Sequence, residues 1–185
     1  MLPIVFDVSA GSIVLVGEGD LALRRLEVLD DADASVRVFS RVPSDALAAL
    51  AGDRLISDRP DETDLSTASL VFGAGLSEAE GADLAQCARL HGVLVNIEDV
   101  KSLCDFHVPS MVRRGDLTVT ISTGGKSPGL ARRLRRHLET LFGPEWAGRL
   151  DMVGELRQGW RAEGLPLDEV SRKTDLFIDK QGWLS

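Results

Sequence analysis

Cysteine and histidine are scarce in this chain, and their arrangement closes off several chemistries. The two cysteines, Cys87 and Cys104, lack metal-ligand spacing and a second pair, so they read as reduced thiols of a cytoplasmic protein. His107 and His137 stand singly, as structural or surface residues rather than catalytic ones. There is no Ser–His–Asp signature and no His-x-x-x-His, so a metal site built from sequence-local ligands is not expected. No apolar run approaches the roughly 18 residues of a membrane span. The first residues show no charged segment followed by an apolar one, so nothing argues for secretion. Internal repeats and low-complexity tracts are also missing.

What is present is a globular composition, 44% hydrophobic over 185 residues, long enough for one ordinary domain and an appendage. The net charge of −8 is unevenly spread. Lys/Arg stand against Asp/Glu as 8 to 19 over residues 1–108, 7 to 1 over residues 109–137, and 6 to 9 over the remainder. An acidic protein with one basic segment suits an anionic ligand held at one place. The acidic surroundings would repel a nucleic-acid backbone.

Ile13-Val14-Leu15-Val16 suits a short buried strand, and Gly17-x-Gly19-x-x-Ala22 follows at once, opening an amphipathic helix over 20–31. That order is the dinucleotide-binding fingerprint. Gly17 lets the chain turn out of the strand, Gly19 lets a pyrophosphate approach the backbone, and Ala22 lets helix and strand pack closely. The helix start offers N–H groups and a positive dipole end to phosphates. Residues 2–8 suit an edge strand, and residues 36–39 form a second strand that completes a βαβ unit. Where an Asp or Glu commonly meets the ribose, Ser40 and Arg41 stand instead. They suit a 2′-phosphate, or Arg41 simply opens the turn into helix 43–51. Further strands are expected at 55–56, 70–72 and 93–97, with Ser77 capping a helix over 78–91. Gly73-Ala74-Gly75 either leaves ligand room at a strand end or forms an ordinary turn. This alternation predicts a parallel sheet covered on both faces.

The rhythm changes near residues 109–115, where a boundary is expected. Residues 117–121 alternate as a strand. Ser127 with Pro128 signals the start of a helix over 128–142, ending at Gly143-Pro144. Helices over 145–161 and 167–180 follow, with Trp146, Trp160 and Trp183 as packing anchors. Gly124-Gly125-Lys126-Ser127 is no P-loop, because Thr120 stands where the first glycine is needed. It is still a glycine turn feeding a helix N-terminus beside a lysine, which is either an anion site or a plain capped turn. Arg132, Arg133, Arg135 and Arg136 follow without an acid until Glu139. They form either a solvated face or a cluster whose self-repulsion an anion would relieve.

Together these residues resemble the precorrin-2 dehydrogenase/sirohydrochlorin ferrochelatase family, the N-terminal module of sirohaem synthases. The resemblance runs from Leu2-Pro3-Ile4 and the Gly17–Ala22 loop with Arg24-Arg25, through Asn96-Ile97-Glu98-Asp99 and Phe106-His107-Val108-Pro109-Ser110. It is strongest from Ser122 to Arg132. It implies an α/β fold, with a Rossmann-like NAD-binding domain over 1–112, an α+β dimerisation segment over 113–143 and a helical C-terminal domain over 144–185. It also implies NAD-dependent oxidation of precorrin-2 to sirohydrochlorin by a homodimer, some members also inserting iron. Asp99 matches the family's catalytic aspartate. Asp20, Leu21, Arg41 and Val42 match its cofactor contacts, and Gly17, Gly19, Ser40 and Gly73 are expected beside them. Gly124, Gly125, Lys126, Ser127 and Arg132 are expected to hold the carboxylate-rimmed substrate. A uroporphyrinogen methyltransferase domain is not expected after Ser185. Glu18 departs from the family's Gly-Gly-Gly and Gly73-Ala74-Gly75 from its Ala-Thr-Asp/Asn. The ribose-end departure is not unusual for the family, which favours NAD over NADP. The rival readings are an NAD-binding regulatory module without turnover, which would not need the basic helix, and a nucleic-acid binder, which the acidic remainder disfavours.

Overall fold

The fold is set by one strand that cannot sit at an edge. In the computed structural model, which describes residues 1–184, β1 (Ser12–Gly17) is paired on both sides. The chain divides into two compact units, residues 1–108 and 109–185. In the first, β1 leads through α1 (Gly19–Asp30) to β2 (Ser35–Phe39), and α2 (Asp45–Ala51) leads to the short β3 (Leu55–Ile56). Then come α3 (Glu62–Ser66), β4 (Ala68–Ala74), α4 (Glu78–Leu90) and β5 (Leu94–Ile97). Among the described residues the sheet runs β3-β2-β1-β4-β5, with every pairing parallel. The order reverses beside β1, so the connections after β1 and β4 diverge and leave a crevice at the strands' carboxyl ends.

Both faces of the sheet are buried, which is why its strands read as unbroken apolar runs. Ile13 and Leu15 point into a core with Leu26, Leu29, Val38 and Phe72. Val14, between them, points to the other face with Val71, Leu84, Ala88 and Val95. That alternation is the period of two that a pleated strand imposes. Each fully enclosed leucine contributes about 2 kcal/mol.

The loop after β1 is held against the turn after β4, backbone on backbone. The Glu18 N–H donates to the Ala74 carbonyl at 3.1 Å. A Cβ on Gly17 would fall on that carbonyl and on Ala22, and one on Gly75 would fall on the Glu18 carbonyl. Gly75 is also left-handed, at φ +69°. Ala74 and Gly75 therefore serve packing of the fingerprint loop, while the space at Gly73 is filled by Ile97, Leu76 and Leu84.

At the other end of the crossover, Asp105 secures the segment after β5. It takes the Val95 N–H at 3.1 Å and pairs with Arg89 at 2.7 Å. The buried Asn96 amide donates to the Phe106 carbonyl at 2.8 Å.

The second unit opens with a hairpin, β6 (Ser110–Arg114) and β7 (Leu117–Ile121), turned on Gly115 (φ +56°) and Asp116. Helices α5 (Pro128–Leu141), α6 (Trp146–Ala162) and α7 (Leu167–Gln181) follow. Its enclosed side chains are few: Val112, Val170 and Thr174 among those described. The tryptophans anchor it as expected. Trp146 meets Phe142 edge-on at 5.2 Å, Trp183 meets Phe177 at 5.6 Å, and Lys173 lies over Trp160.

The expected strands and helices are found with shifts of one or two residues, and three features differ. Residues 2–8 form no strand; residues 1–7 have no regular structure and Val8–Ala10 make a single 3-10 turn capped by Asp7. Only Gly11 separates that turn from β1, too short for a parallel crossover, and both flanks of β1 are already taken. The short α3 was not expected; Asp61 and Asp64 make it through a reciprocal capping box. Residues 110–114, for which no strand was expected, form β6, although the division between the units does fall beside the expected 109–115. The Gly-Asp pair before an alternating strand was the hairpin signal.

Two outcomes are expected. Gly75→Ala, strained and clashing, should cost about 1–3 kcal/mol in urea unfolding, whereas Gly92→Ala, equally left-handed but facing open space, should cost about 1 kcal/mol. The Arg89 guanidinium holds the Asp105 carboxyl below its usual range. Its contribution is therefore present above pH about 4 and lost as pH falls through the depressed value. Asp105→Ala should cost about 1–2 kcal/mol near neutrality, and the difference from wild type should shrink in acid.

Candidate active site

The start of α1 is the first half of the site. α2, α3 and α4 carry side-chain caps from Ser44, Asp61 and Ser77, but the Glu18 side chain makes no cap bond to α1. The first turn's N–H groups are thereby left for an anion, which the helix dipole also favours. Gly19 is left-handed at φ +63°, and nothing lies within 4 Å of where its side chain would be. A close backbone approach is open there, and a pyrophosphate fits it. Asp20 is exposed and Leu21 half-buried beside it.

A cavity of about 120 Å³ opens next to this loop, at the carboxyl ends of the central strands. Its apolar wall includes Val16, Phe39, Leu76 and Leu84, a surface suited to a flat heterocycle. Ser40, only 2% exposed, lines it, and its Oγ has no hydrogen-bond partner. A buried hydroxyl without a partner is costly unless a ligand supplies one. Arg41 pairs with Glu80, and Arg59 reaches the same carboxylate at 3.3 Å. Glu80 is held by Ser77, through its hydroxyl at 2.7 Å and its N–H at 3.2 Å. Those bonds first, and the two arginines after them, keep its carboxyl below the usual range. Val42 is exposed. Gly73 is buried, and the space of its missing side chain is taken by Ile97, Leu76 and Leu84.

Asp99 stands two residues past β5, on the same carboxyl edge of the parallel sheet. It is exposed and left-handed at φ +64°, a conformation that aspartate tolerates better than most residues. Its turn is held from both sides. The Glu98 N–H donates to the Gly73 carbonyl at 2.8 Å, and the Val100 N–H to the Ile97 carbonyl at 3.2 Å. The Glu98 side chain takes a 3.2 Å ion pair from Arg25, whose guanidinium lies 5.2 Å from the centre of the Phe72 ring. Arg25, on α1, therefore ties the turn that carries Asp99 to the helix that opens at Gly19.

In the second unit, Gly124 and Gly125 are both left-handed, at φ +63° and +78°. Ser127 accepts the Leu130 N–H at 3.2 Å, capping α5. Lys126, Arg132, Arg133 and Arg136 are exposed, while Arg135 is engaged by Glu139. The expected residues thus gather in two places, each within its own unit. Gly17, Gly19, Asp20, Leu21, Ser40 and Arg41 stand with Asp99 at one sheet edge, and Gly124, Gly125, Lys126, Ser127 and Arg132 at the start of α5. The sequence reading did not single out Glu80 or Arg59. The spacing Ser77-x-x-Glu80 was the readable signal, since it forms a capping box.

Comparison with known proteins agrees with this division. Residues 4–110 match an NAD(P)-binding family, and residues 114–141 match the central segment of sirohaem biosynthesis proteins. A siroheme synthase of Methylococcus capsulatus is 35% identical over 160 residues, 85% of this chain and 34% of its own length. Another, of Nitrosococcus oceani, is 36% identical over 152 residues, 80% of this chain and 32% of its own length. The chain thus spans about a third of these relatives. The solved structure of SirC, a precorrin-2 dehydrogenase, has the same fold, with a TM-score of 0.80, 21% identity and coverage of 100% of this chain and 93% of that one. An uncapped glycine cradle on a 3-2-1-4-5 parallel sheet and a family match over more than half its length agree: the chain belongs to the NAD(P)-binding family and carries behind that domain the central segment of sirohaem biosynthesis proteins.

Proposed function

We propose that the chain is an NAD-dependent precorrin-2 dehydrogenase, oxidising precorrin-2 to sirohydrochlorin for sirohaem formation. The observation that carries this reading is the pairing, at one sheet edge, of an open glycine cradle with an exposed carboxylate on a braced turn. The named relatives and the fold shared with a precorrin-2 dehydrogenase support it. Gly17, Gly19, Asp20 and Leu21 would hold the pyrophosphate. Ser40, Arg41 and Val42 would meet the adenosine, and Gly73 would let Leu76 and Leu84 pack closely beneath it. When bound, NAD supplies the hydride acceptor. The loss of two hydrogens from the substrate also releases a proton, and Asp99 is the base that takes it on its carboxylate.

Precorrin-2 is rimmed by acetate and propionate groups. Gly124, Gly125, Lys126, Ser127 and Arg132 supply glycine-turn donors, a point charge and a guanidinium fork suited to such carboxylates. α5 also leaves Leu130, Leu134 and Leu141 at 51%, 38% and 56% exposure along an amphipathic helix, with no buried residue of its own. That supports a homodimer in which the segment over 113–143 covers the leucines, the helices after it forming a C-terminal domain. No helix among the described residues is long and apolar enough to cross a membrane. Cys87 and Cys104 are free thiols, which suits a cytoplasmic setting.

Incubation with precorrin-2 and NAD should yield the sirohydrochlorin spectrum, and its absence while NAD binds would leave the regulatory reading instead. Ferrous or cobaltous ion added to the same assay reads out chelation. Asp99→Ala should cut dehydrogenation by roughly 100-fold or more with NAD affinity unchanged in calorimetry. Unaltered turnover removes Asp99 from the chemistry. Leu134→Glu should convert the dimer to monomer in sedimentation, and a monomeric wild type counts against the assembly.

A further inference from the structure

The end of β2 carries the residues of a phosphate site, yet the cavity around it is acidic. In the dinucleotide-binding fold an acid at this strand end takes the adenosine ribose of NAD, and an arginine takes the 2′-phosphate of NADP. Ser40-Arg41 resembles the second case. However, Arg41 and Arg59 each give one guanidinium nitrogen to the same oxygen of Glu80. A phosphate on either guanidinium would therefore lie beside that carboxylate. Glu80 is anchored in turn by both the hydroxyl and the N–H of Ser77 at the head of α4. Four acids line the cavity, Glu18, Asp58, Glu80 and Asp83, against the two arginines.

We propose that Glu80 makes this cavity select NAD against NADP, acting from the first turn of α4 as the missing acid would act from the end of β2. This rests on the cavity being the adenosine site. A neutral ribose can offer a hydroxyl to the partnerless Ser40 Oγ and lie beside the Glu80 carboxylate without repulsion. A 2′-phosphate, carrying close to two negative charges, has to compete with Glu80 for Arg41 and Arg59 and sit beside its carboxylate. Selectivity comes from that repulsion as much as from the ribose contacts. The arginines hold Glu80 in place rather than inviting the phosphate.

Calorimetric titration of the purified chain with NAD and with NADP tests this. The wild type is expected to prefer NAD by roughly tenfold or more. Glu80→Gln keeps the α4 cap, since the amide oxygen still accepts the Ser77 N–H. It should cut that preference by roughly tenfold through a gain in NADP affinity, and adding Arg41→Gln to it should remove the gain. Arg41→Gln alone should cost less NADP affinity than the same change costs in the Glu80→Gln background. Equal or reversed preference in the wild type, an unchanged ratio in Glu80→Gln, or an NADP loss from Arg41→Gln as large alone as in the Glu80→Gln background overturns the role of Glu80. A wild type that binds neither dinucleotide overturns the cofactor reading itself.

Discussion

Everything in the first unit depends on how closely two stretches of backbone approach one another. The loop leaving β1 and the turn leaving β4 touch through the Glu18 N–H and the Ala74 carbonyl, with glycine on either side where a methyl group would collide. This contact sits where the strand order reverses, so it also defines the crevice. Because a main-chain hydrogen bond fixes it, the first turn of α1 points the same way whatever side chains occupy the intervening places. The cradle is prepared before any ligand arrives, and binding then costs less ordering.

Arginine has a consistent use in that unit. Arg25, Arg37, Arg41, Arg54 and Arg89 each hold a carboxylate from a different element. Pairs this exposed contribute at most about 1 kcal/mol each. Their value is geometric: they join α1 to the Asp99 turn, β2 to α3, and α4 to the segment after β5. On α5 the pattern is reversed, since Arg132, Arg133 and Arg136 are exposed and only Arg135 has an acid close by. Cations left in water along one helix are what a multiply charged ligand would meet at little desolvation cost.

Most of the sheet could be read from the chain, because a strand buried on both faces leaves an unbroken apolar run and the glycines mark where it turns. β1, β2, β4 and β5 were visible for that reason, as were the capped starts of α4 and α5. The failures have physical causes. Residues 2–8 have the composition of a strand but no free edge within reach. α3 is five residues long and rests on two aspartates rather than on any periodicity. β6 was hidden because Met111 and Val112 are followed by two arginines, which look like a linker until the turn at Gly115 is seen. The fingerprint loop and Asp99 were legible through spacing and likeness. The partner of Arg41 was not, since Glu80 meets Arg41 and Arg59 only once α4 has folded onto the sheet. Gly75 was noticed as small, but its reason, a carbonyl 57 positions earlier in the chain at Glu18, lies beyond any local pattern.

The shape of the phosphate loop is written in missing atoms, at Gly17 and Gly75, and not in any functional group. Drift during evolution should therefore be free to recolour Glu18, whose side chain has no part in the fit, while change at Gly17 is filtered by size and change at Gly75 by size and backbone handedness. A lineage could retune the charge around its cofactor without redrawing the loop that grips it.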